Sequence, residues 1–181
     1  PPAAPRIAAS GFGQTDFEGY VWLDGDFKFV AANSAGNYEW GNDDWGDDGT
    51  FSGTLALTNE SNCTATVGYY KVNANTTSLS YSATLTNWGI IGSATPTSWG
   101  SDTDMTYNST TKKWSIVINL VGGQEIKFRA NDAWTLNYGD NGADTSLEEG
   151  GSNIAVPSNG NYLVELDLSN PRAYTYTLTL Q

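Results

Sequence analysis

The chain reads as all-β: two tandem β-sandwich domains of immunoglobulin-like type, residues 1–85 and 86–181. Three observations carry this. No window sustains a 3.6-residue apolar repeat. Short alternating runs of Val, Ile, Tyr, Phe and Thr are instead separated by Gly/Asn/Asp clusters. The second half then repeats the order of the first.

Side chains alternate along an extended chain, so Phe17, Gly19, Val21 and Leu23 face one way while Glu18, Tyr20 and Trp22 face the other. Asp24-Gly25 predicts a two-residue hairpin turn, with Phe27-Lys28-Phe29 returning. A long acidic, Trp-bearing loop is expected from Asn33 to Gly53. Strands follow near Thr54–Leu57, Tyr69–Val72 and Ser78–Leu85.

The second copy aligns segment by segment. Trp114 to Leu120 matches Phe17 to Leu23, and Glu125-Ile126-Lys127-Phe128 matches Asp26-Phe27-Lys28-Phe29. The turn between them lengthens to Val121-Gly122-Gly123-Gln124. Asn153 to Val156 parallels Asn62 to Ala65, which sets Cys63 opposite an isoleucine and predicts a core thiol. Tyr162-Leu163-Val164 parallels Tyr70-Lys71-Val72, and Tyr174 to Leu178 parallels Leu79 to Ala83. The halves differ at their start. The second opens with an extra strand, Trp88 to Gly92, and the loop Ser93 to Asp104; the first is expected to lack this opening strand. The Pro1-Pro2-Ala3-Ala4-Pro5 start has neither the basic nor the apolar region of a signal peptide. It reads as the edge of a fragment of a longer, exported protein.

Composition removes several function classes. Of the 181 residues 20 are acidic and 8 basic, a net charge of −12 that argues against nucleic acid and anionic membranes. With 0 histidines, Ser-His-Asp and Cys-His chemistry and His-ligated zinc are excluded. One cysteine forms no internal disulfide. No catalytic group, metal or cofactor is assigned.

The stretch Ile126 to Trp134 carries the functional reading. Ile126 and Phe128 face the core, so Lys127, Arg129 and Asn131 share the other face, and the strand runs out into a loop tipped by Trp134. An aromatic plane can cover the C–H face of a sugar ring while cations and amides bond its hydroxyls. For the segment taken alone, a solvated strand face beside a buried loop indole is the better explanation.

The strings WGIIGSATPTSWGSDTDM, KKWSIVINL, IKFRANDAWTLNYGD, GGSNIAVPSNGNYLVELDL and AYTYTLTL resemble the carbohydrate-binding domains of the SusE and SusF family of outer-membrane starch-binding lipoproteins. APRIAASGFGQTDFEGYVWLDGDFKFV resembles a second copy entered late. The resemblance implies tandem β-sandwiches that hold α-glucan or a related neutral glycan at the bacterial surface without cleaving it. A TonB-dependent porin would stand beside them, and a lipid anchor is expected upstream. It also implies a two-aromatic platform with a nearby cation and amide. Trp99 and Trp134 match the platform, with Lys127, Arg129 and Asn131 as its polar side and Tyr138 and Asp140 in a second tier. Trp114 reads as core, and Trp88 as packing or interdomain contact rather than sugar-binding. In the first domain Val30 stands for Arg129 and Gly36 falls at the Trp134 position. A second site there would use Trp40 and Trp45 with Lys28 and Asn33; otherwise that domain is a spacer.

Three alternatives stand beside this reading. A glycoside hydrolase needs two carboxyl groups at a set distance, with one in an apolar setting. A calcium-dependent adhesin or lectin would use Asn42 to Gly49, although not at EF-hand spacing. A purely structural sandwich would bury every indole.

Overall fold

The computed structural model describes residues 4–181, so the Pro1-Pro2-Ala3 start lies outside them. The chain divides into two compact units, Pro1–Leu85 and Thr86–Gln181. Both are all-β, and their strands pair antiparallel throughout.

The N-terminal unit holds β1 (Ala8–Ala9), β2 (Asp16–Leu23), β3 (Phe29–Val30), β4 (Asp44–Asp47), β5 (Leu55–Ala56), β6 (Gly68–Asn75) and β7 (Ser80–Leu85). They form one sheet of order β1-β2-β6-β7 and a second of order β3-β4-β5. The long strands alternate as read: Val21, Leu23, Tyr70 and Val72 form one buried cluster. Leu55, Cys63 and Ala74 form another, with Phe27 and Phe29 packed against both. Cys63 is wholly buried, and burial pushes its thiol pKa up to about 11. It is a core residue.

The C-terminal unit holds β8 (Trp88–Ile91), β9 (Thr103–Asp104), β10 (Thr106–Asn108), β11 (Lys113–Leu120), β12 (Glu125–Ala130), β13 (Ala133–Gly139), β14 (Glu148–Glu149), β15 (Ile154–Ala155), β16 (Gly160–Asp167) and β17 (Thr175–Leu180). One sheet runs β10-β11-β16-β17. The other runs β14-β13-β12-β8-β9, with β15 also on β12.

Cross-strand registers reproduce the internal repeat residue by residue. Val21 faces Tyr70 as Ile118 faces Tyr162, and Val72 faces Ala83 as Val164 faces Leu178. Phe27 bridges Cys63 as Ile126 pairs Ile154. One buried polar pair is also duplicated. The Tyr81 hydroxyl donates to Asp47 Oδ2 at 2.7 Å, and the Tyr176 hydroxyl donates to Asp140 Oδ2 at 3.1 Å.

Two expectations need correction. Asp24-Gly25 is not a hairpin turn. The strand before it pairs with β1 and β6, and the Phe27 stretch crosses to the other sheet. The Val121 to Gln124 link crosses over in the same way, from β11 to β12. A turn dipeptide reverses the chain without dictating which strand it pairs with, and in a sandwich the partner lies in either layer. Secondly, the Asn33 to Gly53 segment is not all loop. Its Asp44–Asp47 portion is β4, an interior strand of its sheet.

Candidate functional site

Trp134 sits on β13, not on a loop tip. Asn131 and Asp132 both have φ of 56°, the two-residue turn conformation that closes a tight hairpin between Ala130 and Ala133. Ala130 pairs with Ala133, but the next pair is Arg129 with Asn137, so Trp134, Thr135 and Leu136 have no partner on β12. This bulge pushes the indole out of the ladder, as bulges do when they re-aim a side chain. Asn137 Nδ2 closes it by donating to the Trp134 carbonyl at 2.8 Å.

Trp99 comes from the β8–β9 connection. That loop is held by its own hydrogen bonds: Thr95 Oγ1 to the Gly92 carbonyl at 2.9 Å, Ser98 N to the Thr95 carbonyl at 3.1 Å, and Thr97 Oγ1 to the Ser101 carbonyl at 2.6 Å. Ala94 N ties it to β12 through the Glu125 carbonyl. The two indoles meet with centroids 6.0 Å apart and planes at 39°. Both stay open to solvent, Trp99 at 37% and Trp134 at 47%. The pair forms an angled aromatic surface whose parts are fixed before any ligand arrives.

Beneath it lies Arg129. Its guanidinium carbon stands 5.2 Å from the Trp134 ring centre, and Nη2 donates to Asp102 Oδ1 at 2.6 Å. Arg129 is buried at 7% exposure, and Gly89 opposite it on β8 is what leaves room, since a Cβ there would strike the Asp102 carboxylate. Burial alone would raise the Asp102 pKa, but the Arg129 hydrogen bond and charge hold that carboxyl below its usual value. Asp132, exposed at the turn, is raised by its hydrogen bond to Asp102 and by the neighbouring negative charge.

The remaining predicted groups separate. Lys127 is half-buried and donates to the Gly151 carbonyl at 2.6 Å, and burial lowers its pKa. Lys127 and Arg129 therefore do not form the open cationic face expected from alternation. The Ser93–Asp102 loop and the Gly151 turn cover that side of β12. Asn131 is exposed, with Oδ1 accepting from Asn87 N at 2.8 Å. Tyr138 and Asp140 are corrected outright: both are buried, at 2% and 4%. Tyr138 packs on Trp88 and Tyr174. Asp140 accepts from Gly142 N, Asp144 N, Thr145 N and the Tyr176 hydroxyl, and so builds its own loop. Trp114 lies in the core, as read, and so does Trp88.

The second site in the N-terminal unit does not assemble as expected. Trp40 is exposed at 66%, but Trp45 is half-buried against the Leu55 and Cys63 cluster. Lys28 is engaged by Glu60 and Asp44, and the Glu60 hydrogen bond raises its pKa. Asn33 Oδ1 is occupied by the backbone amides of Ala35 and Asn37. In the acidic run, Asp47 accepts from Gly49 N and Phe51 N, and Asp48 accepts from Thr50. Among the described residues no cluster of three or more Cys, Asp or Glu is placed to hold a metal ion.

Sequence reasoning missed Asp102 and Gly89, which position Arg129, and Asp132 beside the platform. The WGSD string did carry Asp102 three residues after Trp99, but nothing in it announced a partner on β12.

The C-terminal unit is thus a β-sandwich with a fixed, solvent-facing indole pair braced by a buried ion pair. No family model matches the chain, and no curated protein does. Among solved structures the chain is similar to the crystal structure of SusF from Bacteroides thetaiotaomicron, with a TM-score of 0.40 and 14% identity. The match covers 97% of this chain and 45% of that one, so the chain spans less than half of SusF's length.

Proposed function

We propose that this protein binds glycan without cleaving it, and that the C-terminal unit holds a neutral polysaccharide, α-glucan first, across Trp99 and Trp134. The observation that carries the reading is the pairing of two exposed, pre-positioned indoles at 39°. Exposed apolar area of this kind is poorly solvated, and a pyranose offers C–H faces that cover it. Asn131 and Asp132, exposed at the hairpin turn, supply acceptors and donors for hydroxyls at the platform's edge. Arg129 acts as a brace beneath Trp134 and not as a direct sugar ligand. The sequence resemblance supports an outer-membrane, surface-exposed location, a lipid anchor and a porin partner.

The Asp102–Asp132 pair argues against hydrolysis. It does place a raised acid beside a depressed one. Yet Asp132 is raised chiefly by the neighbouring Asp102 carboxylate, not by the apolar setting that tunes a hydrolytic acid. Asp102 is moreover closed off by Arg129, its side chain 2% exposed.

Electrophoresis of the whole chain through gels containing soluble glucans tests the proposal. Retarded migration with the glucan unchanged is expected, with or without a chelator. Release of reducing ends would make the protein a hydrolase, and loss of retardation on chelation would make it a calcium-dependent lectin.

A further inference from the structure

Each indole of the platform brings a carboxylate with it. Trp99 is followed by Asp104 on β9, and Trp134 is preceded by Asp132 in the β12–β13 turn. Register puts Asp104 on the platform's side of the sheet. It faces Gly89, and Gly89 faces Arg129, so the three lie in one cross-strand row. Residues of such a row project to one face. That face is the one Trp134 caps, since the Arg129 guanidinium lies against its ring. Asp102, one pleat before Asp104, holds its carboxylate over Gly89 on the same side. Asp132 feels both neighbours: its hydrogen bond to Asp102 raises its pKa first, and the charges of Asp102 and Asp104 add to that. Asp104 and Asp132 are exposed.

Positive charge does not offset this edge. Arg129 is 7% exposed and its Nη2 is taken by Asp102, so that pair cancels internally, beneath the surface. The other cations of residues 86–181 are Lys112, Lys113, Lys127 and Arg172. Lys127 donates to the Gly151 carbonyl. Lys112, Lys113 and Arg172 lie in or just before β11 and β17, strands of the opposite sheet. The solvent-facing edge of the platform is acidic.

We infer that Asp104 and Asp132 set the charge selectivity of the Trp99–Trp134 platform: it takes uncharged glycan chains and rejects those that carry carboxylate or sulfate groups. This rests on the platform reading and adds to it the class of glycan refused. Stacking alone would not discriminate, because a uronate and a neutral pyranose offer an indole the same kind of C–H face. Repulsion is the ordinary way to gain specificity where attraction is shared. A like charge about 7 Å away in water weakens binding roughly threefold, so two carboxylates should give close to tenfold at low ionic strength. Both are carried on defined backbone, Asp104 in β9 and Asp132 in the tight turn with φ of 56°.

Two starch derivatives with substituents of similar bulk test the inference on the whole chain: hydroxyethyl starch, which is uncharged, and carboxymethyl starch, which is anionic. Titration calorimetry reads the ratio of their Kd values. The wild type should favour the uncharged polymer by about tenfold at low salt, and high salt should shrink that preference. Asp104→Asn combined with Asp132→Asn should reduce the ratio to about threefold or less. Asp24→Asn combined with Glu39→Gln removes the same charge from exposed positions of the N-terminal unit and should leave the ratio as it was. A ratio near one in the wild type overturns the inference. So does a ratio that survives the Asp104 and Asp132 substitutions, or one that falls as far in the Asp24 and Glu39 control. The platform reading fails by a different result: a Trp99→Ala, Trp134→Ala variant that holds hydroxyethyl starch as the wild type does would remove the site, and this selectivity with it.

Discussion

Trp134→Ala separates a sugar platform from a merely structural indole. At 47% exposure, a side chain presenting up to about 250 Å2 leaves on the order of 100 Å2 open. If a glucose ring covers about half of that, at about 25 cal/mol per Å2, the contact stabilises the complex by about 1.3 kcal/mol. That is close to tenfold in Kd. Trp99, at 37%, should lose slightly less alone, and the double variant should leave no retention in an affinity gel. The folding cost is bounded by the same geometry. Trp134 gives up its contact with Arg129 at 5.2 Å and with Trp99 at 6.0 Å, together about 1–2 kcal/mol. For a unit of this size each kcal/mol lowers the melting temperature by roughly 4–8 °C. Titration calorimetry with maltoheptaose and a thermal melt of each variant read the two quantities separately. Unchanged affinity in the double variant would refute the platform. Affinity lost only together with collapse of the melt would show that the indoles are structural.

The brace beneath the platform should be costly to break. Asp102→Ala leaves Arg129 buried and unpaired, an expected loss of about 3–5 kcal/mol, and Gly89→Val should weaken the same pair by displacing the carboxylate; a melt within a degree of wild type would contradict both. Asp140→Ala strands three backbone amides and the Tyr176 hydroxyl, which at about 1–3 kcal/mol for an unsatisfied buried group predicts roughly 3 kcal/mol, seen in denaturant unfolding. Asp47→Ala should lower the N-terminal unit in the same direction, and a change in neither unit would remove the duplicated Asp–Tyr pair from the stability account. Burial opposes ionisation of Asp47, Asp102 and Asp140, yet hydrogen bonds from Tyr81, Arg129, Tyr176 and backbone amides hold all three below the ordinary aspartate value of 3.8. A depressed folded pKa means that the unfolded chain takes up protons first. Stability from these groups is therefore fully present above the ordinary value and is lost as pH falls through the folded values. A pH series of melts should be flat near neutrality, where the chain has no histidine to titrate, and should fall in acid; a maximum near pH 4 would contradict the sign.

The sequence by itself determined the all-β class, the repeat and most of the inward-facing residues. These properties are local. Period-2 alternation sets Val21 and Ile118 inward, and the matching of one half to the other puts Cys63 opposite Ile154. The strand pattern by itself singles out Trp134; pairing it with Trp99 comes from the family resemblance and not from alternation.

Only the tertiary structure decided what covers a strand's outer face and which layer a strand joins. Arg129 alternates outward as read, yet Asp102 arrives from the β8–β9 connection and buries it, and Lys127 is taken up by the Gly151 carbonyl. The bulge that exposes Trp134 depends on how three residues of β13 fail to pair with β12, and the crossing of the Phe27 stretch to the second sheet was equally invisible. Each of these depends on contacts between segments far apart in sequence, whose geometry is fixed only when both sheets of a sandwich are closed against each other.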